Sequence, residues 1–190
     1  RGSALPMAVA FTPRPKEPWW PAAAREVEGV GDRLFVVCFT ETDPVEVWDE
    51  VLDINVRAMF LTVKHAVPLM RRNGGGAIVN CSSVAGLVGL AGAPAYVASK
   101  HGVVGLTRAA ALEYAKANIR VNAICPGPIE TKMLEDLMVG MPREAIVAAE
   151  PVGRIGRPEE IAEAVLWLCS PAASFVTGQA IAADGGWTVQ

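Results

Sequence analysis

AIVNCSSVAGLVGLAGAPAYVASKHGVVGLTRAAALEYAKANIRVNAIC, residues 77–125, decides the fold. It opens with a short apolar run at 77–83 and closes with another, IRVNAIC at 119–125. Each has the length and near-continuous hydrophobicity of a strand covered on both faces. Between them, AGLVGLAGAP is a glycine-rich loop, and AYVASKHGVVGLTRAAALEYAKA predicts a long helix rich in small residues. Strand, crossover helix and strand make a parallel pair. Further on, PEEIAEAVLWLC predicts an amphipathic helix opened by Pro158, and QAIAADGG a last short strand. The pattern is that of an α/β fold with a doubly wound parallel sheet.

Upstream, TDPVEVWDEVLDINVRAMFLTVKHAVPLM at 42–70 carries Val45, Trp48, Val51, Leu52, Met59, Phe60, Val63, Val67 and Met70 at helical spacing. Asp43 is a candidate N-cap, Pro44 suits the first helical position and Glu46 completes a capping box. Arg71 and Arg72 suit the helix end, where cations complement the dipole. Residues 1–32 hold five prolines and the pair Trp19 and Trp20 without a sustained period, so residues 1–40 read as a loop or arm, with one possible strand at RLFVVCF, 33–39.

With 52% hydrophobic and 19% charged residues over 190 positions, the chain has the material for one cored domain. A net charge of −3 and a pI near 5.5 give no reason to expect nucleic acid or an anionic membrane as partner. The cysteines at 38, 81, 125 and 169 form no C-x-x-C pair and read as reduced thiols. His65 and His101 have no neighbours at ligand spacing, so no metal is expected. No apolar stretch has the length of a membrane span, and a cytoplasmic protein is the expectation. Arg1 stands where a methionine would begin a complete chain, which reads as a fragment end or a cloning scar.

Tyr96 and Lys100 stand four apart on a predicted helix and so share one face. An ammonium beside a phenol favours phenolate, which would lower the phenol's pKa towards the working range of a general acid/base. Ser83 closes a strand thirteen residues before Tyr96, at the end of a parallel sheet where ligands bind. A hydroxyl there would orient a substrate oxygen. The plainer reading of Ser82 and Ser83 is a strand end whose hydroxyls satisfy backbone groups.

NCSSVAGLVGLAGAPAYVASK, then IRVNAICPGPIET, then GRPEEIAEAVLWLCSPAASFVTGQAIAADGG, resembles the short-chain dehydrogenase/reductase family, in its subgroup with an Asn, Ser, Tyr and Lys active site. The resemblance runs from about Thr42 to the C-terminus. It implies a Rossmann-like sheet and NAD- or NADP-dependent hydride transfer between nicotinamide and a secondary alcohol or ketone. It makes Tyr96 the acid/base and Ser83 the group that orients substrate. Lys100 would lower the Tyr96 pKa and hold the nicotinamide ribose. Asn55 would sit at a helix break and hold a relay water, or else be a polar interruption of an apolar face. Pro126, Gly127 and Thr131 would cover the nicotinamide, or else end a strand and cap a helix. Met133, Leu134, Leu137, Met138 and Met141, within 128–156, resemble the family's substrate lid, with packing against the sheet as the alternative. The helices at 44–70 and 95–117 would build the interface of a homodimer or homotetramer.

Part of the family pattern is missing. Before Asn55 the glycines are Gly2, Gly29 and Gly31, without the G-x-x-x-G-x-G turn that takes a pyrophosphate, and the family's N-A-G segment is replaced by VVCFTETDP. Two strand–helix–strand units need about 30 residues each, more than precede Pro44. Residues 41–190 therefore read as the catalytic part of the fold with its first strands missing, behind an atypical segment at 1–40. A second reading follows, a non-catalytic remnant that serves as an oligomer subunit. In either case the sheet edge left by the missing strands needs a cover, a role open to Trp19 and Trp20.

Overall fold

The computed structural model describes residues 7–10, 44–137 and 142–190. Among these residues the core is a four-stranded sheet in the order β1 (Met7–Ala10), β2 (Gly76–Cys81), β3 (Ile119–Pro126), β4 (Ala180–Ala183), every pairing parallel. The helices are α1 (Val45–Leu52), α2 (Ala58–Arg72), α3 (Pro94–Tyr114), α4 (Lys132–Leu137), α5 (Arg143–Ala149) and α6 (Pro158–Cys169).

Both faces of the sheet are covered, which is why β2 and β3 read as unbroken apolar runs. Ile78, Ile119 and Val121 pack with Val63, Val67, Met70, Ala110 and Ala111 of α2 and α3. Val79 and Ile124 turn the other way, onto Ile161, Val165 and Leu168 of α6. Arg120 fastens that second layer: its guanidinium donates to the carbonyls of Leu168 at 2.7 Å and Ser170 at 3.1 Å, groups at the end of α6 that the helix itself leaves unpaired. Two incoming turns dock tightly. A Cβ on Gly75 would lie 2.2 Å from the Asn118 carbonyl oxygen, and Asn118 itself holds the left-handed conformation that ends the turn after α3.

Several local details depart from the sequence expectation. Pro44 is the N-cap of α1 rather than its first residue, no side chain caps that end, and Asp43 lies outside the described residues. The helix expected at 44–70 is broken by a π turn at Asp53–Arg57 and continues to Arg72. Residues 7–10, placed in a loop or arm by their proline-rich surroundings, form β1. Four residues carry too little periodicity to announce a strand, and pairing with β2 supplies what local sequence does not. The strand considered at 33–39, Cys38 and the Trp19/Trp20 cover lie outside the described residues. The starts of α3 at Pro94 and α6 at Pro158 fall where proline places them.

Candidate active site

The C-terminal end of β2 and the first turns of α3 face each other. After Cys81 the chain leaves the sheet. Ser82 donates its hydroxyl to the Lys100 carbonyl at 2.9 Å, and Ser83 accepts from the Ala85 N–H at 3.1 Å, opening a short 3-10 turn over Val84–Gly86. Gly86 is required by the closeness of this turn to the helix: an added Cβ would meet Ser82 Oγ at 2.4 Å and the Lys100 carbonyl oxygen at 2.7 Å. Each serine of the pair satisfies backbone, and Ser83 also hydrogen-bonds the Tyr96 phenol.

Lys100 is 7% exposed. Its Nζ donates to the Cys81 carbonyl at 3.3 Å and lies 5.5 Å from the centre of the Tyr96 ring. Asn55, in the π turn, joins from the opposite side. Its Nδ2 donates to Ser99 Oγ at 3.0 Å, and Ser99 donates to the Tyr96 carbonyl at 2.7 Å. π turns interrupt helices preferentially at functional positions. Ser83, Tyr96 and Lys100 are thus in one cluster, and Asn55 is tied to it through Ser99 and the Tyr96 backbone.

The electrostatics differ from the sequence expectation. Burial pushes the Tyr96 phenol above its ordinary pKa, the Ser83 hydrogen bond draws it partly back, and Cys81 raises it further. Burial pulls Lys100 down, opposed by Cys81 and Cys125. The expected lowering of Tyr96 by Lys100 is not what governs the phenol in this structure; withdrawal from water is the largest influence on both groups.

The family described as enoyl-(acyl carrier protein) reductase matches residues 29–188. The chain belongs to the short-chain dehydrogenase/reductase family. It is 47% identical over 150 residues to a cyclohexanol dehydrogenase of Acinetobacter sp. (strain SE19), covering 78% of this chain and 58% of that one. It is 46% identical over 144 residues to a 3-oxoacyl-[acyl-carrier-protein] reductase of Thermotoga maritima, covering 76% and 58%. Among solved structures, an Agrobacterium tumefaciens protein assigned as a 2-deoxy-d-gluconate 3-dehydrogenase, with bound NADP, superposes with a TM-score of 0.78 at 38% identity, over 83% of this chain and 65% of that one. The chain spans less than two thirds of the length of these relatives.

In this short-chain dehydrogenase/reductase chain the second group of expected residues makes the following contacts within the fold. Pro126 ends β3, and Gly127 abuts the end of β4 so closely that a Cβ would lie 2.9 Å from Asp184 Cα. Thr131 accepts from the Leu134 N–H at 3.3 Å and so caps α4, the helix-cap reading of that residue. Met133 is exposed, the Leu137 backbone ends α4, and Met138 and Met141 lie outside the described residues. Ser99, fully buried, is the site residue that sequence reasoning passed over, although it stands within YVASK beside Lys100. Asn80, also fully buried, donates to Thr107 Oγ1 at 2.9 Å and ties β2 to α3. Cys81, Cys125 and Cys169 are free thiols. Among the described residues there is no cluster of three or more metal-ligating side chains, and no helix is long and apolar enough to cross a membrane.

Proposed function

We propose that this chain carries the catalytic half of an NAD(P)-dependent oxidoreductase acting on a secondary alcohol or its ketone, with Tyr96 as proton donor and acceptor. The observation that carries the reading is the joined set of Ser83, Tyr96 and Lys100 at the end of a parallel strand. The names of the relatives support alicyclic alcohols and ketones, cyclohexanol and cyclohexanone first, as substrates to test.

The donor set fits the nicotinamide half of a dinucleotide. Among the described residues no carboxylate pairs with Lys100, so its ammonium is left for hydroxyl acceptors of a ribose, with Tyr96 beside it. Bound nicotinamide supplies or takes up the hydride. In ketone reduction Tyr96 gives its phenolic proton to the substrate oxygen, Ser83 holds that oxygen, and Lys100 offsets the charge left on the phenolate. Asn55, through Ser99, fixes the first turns of α3 and with them the direction of the phenol. Pro126, Gly127 and Thr131 would border the carboxamide. A homodimer or homotetramer in the cytoplasm completes the proposal, supported by Phe60 and Leu112 standing exposed on α2 and α3.

The absence of a G-x-x-x-G-x-G turn from the sequence favours a second reading, a subunit that does not bind dinucleotide. Binding separates the two. NADH or NADPH at millimolar concentration is expected to raise the melting temperature or to change the fluorescence of the five tryptophans. No response to either nucleotide would leave the non-catalytic reading.

A further inference from the structure

Beside Pro128 lies a partly open cavity of about 230 Å³, lined by residues within 150–156, the start of α6 and the end of β4. Its apolar wall includes Ile129, Val152 and Ile161, and its charged groups are Glu150, Arg154, Glu160 and Asp184. With one base against three acids, the lining is net negative when all are ionised.

Most of these charges are spent on one another. Arg154 holds both oxygens of Glu160, at 2.8 and 2.6 Å, and Glu160 also accepts from the Arg157 N–H at 2.8 Å, answering the start of α6. These contacts hold the Glu160 carboxyl down to about 2. Asp184 accepts from the N–H groups of Gly186 at 3.0 Å and Thr188 at 2.9 Å and from Thr188 Oγ1 at 2.6 Å. Glu150 is the group left over. It is 6% exposed, lines the cavity, and its Oε1 has no hydrogen-bond partner among the described residues. Native proteins rarely leave a buried carboxyl oxygen unpaired, because the cost of desolvation is then uncompensated. Burial, with Asp184 nearby, accordingly raises the Glu150 pKa.

We propose that this cavity binds a small organic ammonium ion, its –NH3+ group paired with Glu150 and its carbon skeleton against Ile129, Val152 and Ile161. An ammonium supplies the missing donors and the missing positive charge together. A hard metal cation would need six or more oxygens, and the described residues offer no cluster of three ligating side chains. The apolar wall matches an alkyl group better than a hydration shell.

The test is thermal unfolding of the full chain at pH 8 with n-butylammonium chloride, set against NaCl, KCl and MgCl2 at equal ionic strength and against 1-butanol. Butylammonium at ten times its Kd is expected to raise Tm by about 3–6 °C, saturably. The rise should vanish in Glu150→Gln and shrink as the pH is lowered from 8 towards 5, because Glu150, raised by burial while Glu160 and Asp184 are lowered, is the first of the three acids to take up a proton. No rise overturns the proposal, as does an equal rise in Glu150→Gln, with 1-butanol, or with any of the three metal salts. Should Glu150→Gln fail to fold, the pH dependence of the unmodified chain decides, and a rise that is the same at both pH values overturns it. No nucleotide takes part, so the outcome is independent of whether the chain binds NAD(P).

Discussion

Replacement of Tyr96 by phenylalanine is expected to lower ketone reduction by about 10²–10⁴-fold while leaving the fold in place. The change removes one oxygen. The ring keeps its packing at the start of α3, and the Ser99 bond to the residue-96 carbonyl does not involve the side chain. What disappears is the proton that must reach the substrate oxygen, so the loss should fall on turnover rather than on melting temperature. The direction of the Tyr96 pKa fixes the pH dependence. Burial holds the phenol above its ordinary value, so it stays protonated through neutral pH. Reduction, which uses the phenol, should be flat through neutrality and decline in alkali. Oxidation of the alcohol uses the phenolate and should rise with pH over the same alkaline range. Steady-state rates in both directions from pH 6 to pH 10 check this, and a Tyr96→Phe chain that keeps its activity removes Tyr96 from the chemistry.

Valine at position 86 should act on the same site through the backbone. The first carbon of the new side chain would lie 2.4 Å from Ser82 Oγ and 2.7 Å from the Lys100 carbonyl oxygen, both well inside contact distance. One of these must yield, and the second belongs to helical backbone. Overpacking and the lost Ser82–Lys100 hydrogen bond together cost about 3 kcal/mol, a fall in Tm of about 6–12 °C for a chain of this size. Because the displaced group is the turn of α3 that carries Lys100, nucleotide affinity should fall with stability. Gly89→Ala is the matched control: nothing lies within 4 Å of its added carbon, and its Tm should stay close to that of the parent. Equal melting temperatures for Gly86→Val and the parent would show that the 3-10 turn gives way freely and does not hold Lys100 in place.

What could be read from the sequence, and what could not, divides by range. Pro158 announced its helix, and β2 and β3 were visible as apolar runs because helices cover both faces of the sheet. Tyr96 and Lys100 lie one helical turn apart, so their shared face followed from spacing alone. Ser99 was invisible by the same logic. A serine inside a helix has no fixed task until something across the structure meets it, and Asn55 arrives from 44 residues away. The sense of the Tyr96 shift failed for a related reason: sequence shows that two charges are neighbours but not how far both are withdrawn from water, and here withdrawal decides. β1 is the extreme case, four residues whose only announcement is a partner 70 residues along the chain.

These separations also order the making of the sheet. Gly76 must find Ile119, 43 residues on, with α3 already local to the loop, whereas Ala123 must find Ala180 and Met7 must find Ala77 across longer gaps. Closing a loop costs entropy that grows slowly with its length, so the shortest of the three is the least costly to close first. The β2–α3–β3 unit, which also carries Ser83, Tyr96 and Lys100, is therefore the natural nucleus. On a ribosome that delivers the chain from its N-terminus, β2 is within reach of β1 before β3 has been made, so order of synthesis and loop length favour different first pairings for the strand that carries Ser83 at its end.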